Sequence, residues 1–279
     1  YIIKYLKNNP KKVTAIETLG EIGSEASEKF LLQKITHEEN IYRFNACAES
    51  LIKLGNKEVI DIVLKDIDKL DEGHLIGRLS LLARIEDKRI LAVIERLLKL
   101  QKKPLTKALC YAVLTTNGNK EAEDKFLELA QELLNDKKIL RREKKDLIKV
   151  LINMNGRAVS YIFDLFDKEG TRILVGSYRN EILARADEIK EEVKQYLKEK
   201  GFPKEYSPGR EIALKCLLRA KPEDEESLSI MRSFYSIFPT MTSEAVEKYA
   251  ELRKDVALYL TEKTGEKYKY TLIRQMPFY

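Results

Sequence analysis

The sequence predicts an all-α protein, a right-handed α-solenoid of about seven helix pairs closed by a helical C-terminal cap. Three observations carry that expectation. The stretch from Ala15 to Glu58 repeats itself: with Gly23 set on Gly55, an offset of 32, Ala15 meets Cys47, Thr18 meets Ser50, Leu19 meets Leu51 and Ile22 meets Leu54. Gly55-Asn56-Lys57-Glu58 then recurs as Gly118-Asn119-Lys120-Glu121, an offset of 63 that brings Cys47 onto Cys110 and equals two periods near 32. Finally, only 12 Gly and 7 Pro occur in 279 residues, mostly between runs of helical spacing, as short links between helices require.

Each element has its own signal. YIIKYLKNN reads as the second helix of a pair, stopped by Pro10. Val13, Ile16, Leu19 and Ile22 keep helical spacing up to Gly23, and Ser24 caps a helix striped by Phe30, Leu31 and Ile35. After the polar link His37 to Asn40, Asn40 caps a helix from Ile41 to Leu54, and Asn56 caps one from Lys57 to Leu70. His74 to Ile85 and Lys88 to Leu100 form the next pair, with Asp87 as cap. Pro104 opens a fourth pair as a first-turn proline, and Asn119 caps its second helix, Lys120 to Leu134. Ile139 to Met154 pairs with Arg157 to Phe166, Thr171 to Leu183 with Asp187 to Lys200, and Pro208 to Arg219 with Pro222 to Phe238. One long amphipathic helix, Ser243 to Lys263 with Ser243 as cap, then precedes the aromatic tail that starts at Tyr268. The expected organisation is a repeat array over residues 1–241, its clearest repeats within 11–156, and a terminal unit over 242–279 that covers the last apolar face.

The motif of the two best repeats resembles that of the HEAT repeat, in particular its bilin-lyase-like subtype. That motif places small residues, Leu-Gly, an aliphatic residue and Gly before the second helix. The first copy supplies Ala15, Thr18, Leu19, Gly20, Ile22 and Gly23; the second supplies Cys47, Ala48, Ser50, Leu51, Leu54 and Gly55, with Ile52 in place of the first Gly. The Arg that often opens the motif is replaced by Lys12, Phe44 and Lys107, so no role of that Arg transfers. Small residues are expected where the two helices of a pair approach closely. The resemblance implies an α-solenoid used as a platform for protein partners, and it implies no lyase chemistry.

Catalytic routes find little support in the residues. HEAT enzymes of the deoxyhypusine hydroxylase kind draw His-Glu pairs from successive repeats onto two irons, whereas this chain has 2 His, His37 and His74, and one His-Glu pair in a link. HEAT-like DNA glycosylases hold a damaged nucleotide against tryptophans, and this chain has 0 Trp. No glycine-rich phosphate loop, nucleophile elbow or cysteine-rich zinc pattern occurs. The expectation is therefore a non-enzyme with no catalytic, cofactor-binding or metal-ligating residue and no cofactor.

What remains is surface. Hydrophobic residues at 44% and charged residues at 34%, with a formal net charge of +6, describe a soluble chain with interspersed charge. No apolar run approaches the roughly 20 residues that span a bilayer, so membrane insertion is not expected. Cys47, Cys110 and Cys216 read as buried free thiols and favour a reducing, cytoplasmic setting, although a removed export leader would leave no trace. The first functional expectation is a scaffold that binds a protein on a concave face lined by second helices, with Lys65, Asp68, Arg96, Lys99, Glu128 and Glu132 as candidates. The alternative is a nucleic-acid-binding solenoid with a basic stripe drawn from residues 99–107 and 137–145, in which Lys138, Arg141, Arg142 and Lys145 share one helical face.

Overall fold

The computed structural model describes residues 1–9 and 11–268, and they form helices with no strand among them. Pro10 and the aromatic tail that follows Tyr268 lie outside the described residues. The chain divides into two compact units, one ending at Val150 and the other beginning at Leu151.

The first unit contains α1 (Ile2–Asn8), α2 (Val13–Ile22), α3 (Glu25–Ile35), α4 (Ile41–Lys53), α5 (Glu58–Leu64), α6 (Glu72–Leu82), α7 (Lys88–Leu100), α8 (Pro104–Thr116) and α9 (Lys120–Asn135). It also holds most of α10 (Arg141–Asn153), within which the division falls. Local chemistry fixes the starts. Ser24, Asn40, Asp71, Asp87 and Asn119 each accept a backbone N–H from the first turn of the helix that follows. Gly23, Gly55 and Gly118 all take left-handed φ values of 68°, 73° and 88°, the conformation that ends a first helix.

First helices pack in a row, α2 on α4, α4 on α6 and α6 on α8, and α3, α5, α7 and α9 lie against their flanks. Small residues were expected to bring the two helices of one pair together. They serve a different crossing. A Cβ added to Gly20 would lie 2.7 Å from Ser50 Cβ, so Gly20 admits the next first helix, α4, and not its own partner α3. Ser50 Oγ completes the crossing by donating to Ile16 O at 3.3 Å.

The predicted helix from Lys57 to Leu70 is interrupted. It stops at Leu64, Asp66 turns left-handed at φ 51°, and a short 3-10 turn follows at Ile67–Lys69. The cause lies on another helix. Arg78 Nη1 donates to the carbonyls of Ile62, Val63 and Lys65 at 3.2, 3.0 and 2.8 Å and so satisfies the end of α5 from α6. The apolar periodicity survives the break because Ile67 is still buried.

The second unit contains α11 (Arg157–Asp167), α12 (Glu169–Gly176), α13 (Arg179–Ala184), α14 (Lys190–Lys200), α15 (Pro208–Arg219), α16 (Glu225–Ile237) and α17 (Ser243–Thr264). The helix expected from Thr171 to Leu183 is two helices, broken where Gly176 meets Ser177, whose Oγ turns back to Leu174 O at 2.7 Å. Thr242, not Ser243, caps α17 by accepting from Ala245 N. Helix α15 is central: it packs on α11, α13, α14 and α17. Gly209 lets it do so, since an added Cβ would stand 2.3 Å from Phe163 O of α11. Tyr196, Phe163, Phe234 and Tyr249 fill the interior. Cys47, Cys110 and Cys216 are free and fully buried in their respective units, and burial pushes each thiol up to about 12.

In both units, polar contacts between helices recur at one-repeat separation. Examples are Lys53 with Glu21 (32 residues apart), Thr116 with Ala83 O (33), Asn117 with Ile85 O (32), Arg179 with Glu211 (32) and Tyr196 with Asp164 (32).

Candidate functional site

Helix α10 buries Leu147, Ile148 and Val150 and turns a polar strip outward. Arg142, Asp146 and Lys149 follow one another at spacings of four and three and therefore share that strip. It faces α4. The Arg142 guanidinium lies 5.7 Å from the centre of the Tyr42 ring, and Lys149 Nζ lies 3.1 Å from Glu49 Oε1. Glu49 Oε1 also accepts from Arg84 Nη1 at 3.0 Å, which ties in the residue just beyond α6. Both contacts join residues 100 apart, so the two strips run parallel over about two turns, roughly 10 Å. Between Tyr42 and Glu49, Asn45 Oδ1 is buried with no hydrogen-bond partner among the described residues. Burial raises the Asp146 carboxyl above its ordinary value, against the pull of Arg142 and Lys149.

The residues singled out in the sequence distribute as follows. Lys138 lies just ahead of α10 and Arg141, Arg142 and Lys145 in its first turns; all four are exposed, Arg142 stands over the Tyr42 ring, and Lys145 has a contact of its own. Lys144 Nζ donates to Leu134 O at 2.7 Å and closes the end of α9, and Lys103 pairs with Glu72. Arg96 and Asp68, both candidates for partner contact, face each other at 3.6 Å. Lys99 lines a shallow groove of about 360 Å³ with Glu95, Tyr111 and Lys125. Lys65, Glu128 and Glu132 are exposed, and Lys65 lends its carbonyl to Arg78. Sequence reasoning missed Tyr42, Glu49, Arg84 and Lys149. Their one signal is the shared spacing of seven in 42/49 and 142/149, which has no meaning until the two helices are known to meet.

The second unit carries a buried polar hub. Asp167, the last residue of α11, accepts Gly209 N at 2.9 Å, Ser207 Oγ at 2.8 Å and Arg210 Nη1 at 2.6 Å. The Tyr249 hydroxyl accepts Ser207 N and donates to Ser207 O, each at 2.9 Å, and burial pushes this phenol up to about 12. Glu211 is 8% exposed and receives Arg179 at 2.8 Å, Lys215 at 2.5 Å and the Tyr206 hydroxyl. Burial raises the Glu211 carboxyl, and hydrogen bonds from Lys215 and Tyr206 overcome that to leave it below its ordinary value. Chemically the hub joins helix ends: the Ser207 hydroxyl donates to Asp167 and accepts Arg210 N, so it caps α15. A second groove, of about 480 Å³, runs along α15 and α17 between Leu183, Leu218, Leu258 and Tyr259. Among the described residues, no group of three or more His, Cys, Asp or Glu side chains could hold a metal ion, and no helix is long and apolar enough to cross a membrane.

No family model and no curated protein matches this chain. A solved structure similar to it is that of an engineered protein, at 13% identity over 95% of this chain and 81% of the other, with a TM-score of 0.31. A superposition that loose carries no argument about fold or function.

Proposed function

We propose that this chain is a HEAT-like, right-handed α-solenoid of about seven helix pairs with a helical cap, and that it serves as a non-catalytic scaffold for another protein. The observation that carries the reading is the recurrence of inter-helix contacts at 28 to 36 residues, the period already visible in the sequence. Repeats that lean on their neighbours in this way present, within each unit, an extended surface suited to broad protein contacts. The proposed contact set is Arg96, Lys99, Glu128 and Glu132 on second helices, with Lys65 and Asp68 in the turn that follows α5. Three buried free thiols suit a reducing compartment such as the cytoplasm.

The test is affinity capture with the full chain and with an Arg96→Glu/Lys99→Glu variant of unchanged melting temperature. A protein retained in stoichiometric amount by the first and lost by the second supports the reading. Retention that ignores the substitutions, or no retention at all, removes it. A second reading, nucleic-acid binding, draws on the exposed Lys138, Arg141 and Lys145. Fluorescence anisotropy with mixed-sequence DNA and RNA at low salt decides it: binding abolished by Arg141→Glu/Arg142→Glu/Lys145→Glu supports it, and no binding ends it.

A further inference from the structure

We propose that Tyr42 and Glu49 of α4, with Arg142 and Lys149 of α10, form a salt-sensitive clasp that holds the first unit closed. The inference stands whether or not the chain binds a protein.

Polar contacts between successive repeats of this unit join residues 28 to 35 apart, and they follow from the packing of adjacent repeats. The two α4–α10 contacts skip three periods, joining residues 100 apart at one common offset. They are made by long side chains at a half-exposed seam: the Lys149 and Glu49 side chains are 41% and 29% exposed, and Tyr42 is 59% exposed. The apolar residues of α10, Leu147, Ile148 and Val150, occupy other positions around the helix. Closure at this seam therefore depends on charge and on a cation over a ring, which respond to ionic strength, and not on interdigitated apolar side chains, which do not weaken in that way. Glu49 is the central member because Arg84 and Lys149 meet on the same oxygen. Opening the clasp uncovers the strip Tyr42, Asn45 and Glu49, where Asn45 Oδ1 is already without a partner among the described residues.

Spin labels at Glu39→Cys and Lys138→Cys, both exposed and just ahead of α4 and α10, report the separation of the two helices by pulsed electron resonance; the native thiols are buried. The expected result is one short distance at low salt and a longer population that grows about fivefold in roughly 1 M salt. Glu49→Lys and Lys149→Glu each produce the longer population at low salt, and the double swap restores the short one. A distance unchanged in high salt overturns the proposal. So does a distance unchanged in Glu49→Lys with full helical circular dichroism. Should either single variant lose that dichroism, the salt series on the otherwise native chain decides alone.

Discussion

Gly20→Ala tests whether successive first helices really cross where their backbones are closest. The added Cβ would stand 2.7 Å from both Ser50 Cβ and Oγ and 3.0 Å from Ser50 Cα. None of these atoms is the far end of a flexible chain, so α2 and α4 must separate. Overpacking of this kind costs about 1–3 kcal/mol. Displacing the Ser50 hydroxyl from Ile16 O adds about 1 kcal/mol, and the better helix propensity of Ala returns about 1 kcal/mol. The net expectation is a loss of about 2 kcal/mol, or roughly 4–8 °C in Tm for a unit of this size.

Two further glycines calibrate the result. At Gly77 the new Cβ meets Asn45 Nδ2 at 2.8 Å and Ile41 Cδ1 at 3.0 Å, both ends of movable side chains, so Gly77→Ala stays within about 1 kcal/mol of the native chain. At Gly209 it meets the Phe163 carbonyl oxygen at 2.3 Å, backbone that cannot swing aside, and Gly209→Ala costs more than about 3 kcal/mol. Urea unfolding followed by circular dichroism measures all three. Ser50→Gly in the Gly20→Ala background removes the clashing atoms and recovers at least about 1 kcal/mol of coupling in a double-mutant cycle. A Gly20→Ala chain as stable as the native one, or a cycle with no coupling, would refute the crossing.

Arg78→Met strips the donor from three carbonyls at the end of α5 and the cation from the Phe44 ring, 4.6 Å away. It is expected to cost about 2–3 kcal/mol and to speed hydrogen exchange in α5 before α6; uniform loss across the unit would contradict the capping role. The three thiols set an alkaline limit. Their folded pKa, about 12, lies above the unfolded value near 9, so between those limits the unfolded chain releases protons that the fold retains. Stability thus falls as pH rises, with a slope approaching about 1.4 kcal/mol per unit for each fully buried thiol. Replacing Cys47, Cys110 and Cys216 by Ala removes that slope between about pH 8 and 10 in urea-midpoint measurements, whatever it does to absolute stability.

Helix identity was legible wherever local chemistry alone decides it. The spans Val13–Ile22, Lys88–Leu100 and Pro208–Arg219 match their sequence signals, and Ser24, Asn40, Asp87 and Asn119 cap as their positions predict. Legibility failed where a distant side chain intervenes. Nothing near Leu64 announces that Arg78 will take over its carbonyls, and apolar periodicity runs on through Ile67 regardless. The glycine motif was legible as a close approach, but its partner was misassigned, because a period of 32 does not say whether Gly20 faces α3 or α4. The α4–α10 seam was hidden most deeply. Its charges look like any solvated helix face until Glu49 and Lys149 are brought together.

The same geometry changes how the basic surplus should be read. Every helix ends in carbonyls that its own backbone cannot satisfy, and a cation there also meets the negative end of the helix dipole. In this chain the cation repeatedly comes from another helix: Arg78 serves α5, Lys144 serves Leu134 O of α9, Arg172 serves Phe166 O of α11, and Arg185 serves Ile152 O and Met154 O. Lys194 is likewise enclosed by Glu191, Asp224 and Glu226, which hold its ammonium well above the usual lysine range. Part of the net charge of +6 is therefore spent on carbonyls within the fold, by Arg78, Lys144 and Arg172 in particular. The exposed cations near the start of α10, Lys138, Arg141 and Lys145, would make about three phosphate contacts, and the logarithm of affinity would then fall with that of salt at a slope of about 3. A measured slope much steeper than that would mean that cations beyond this cluster, such as the exposed Lys99 and Lys102 of the 99–107 stretch, also meet the strand.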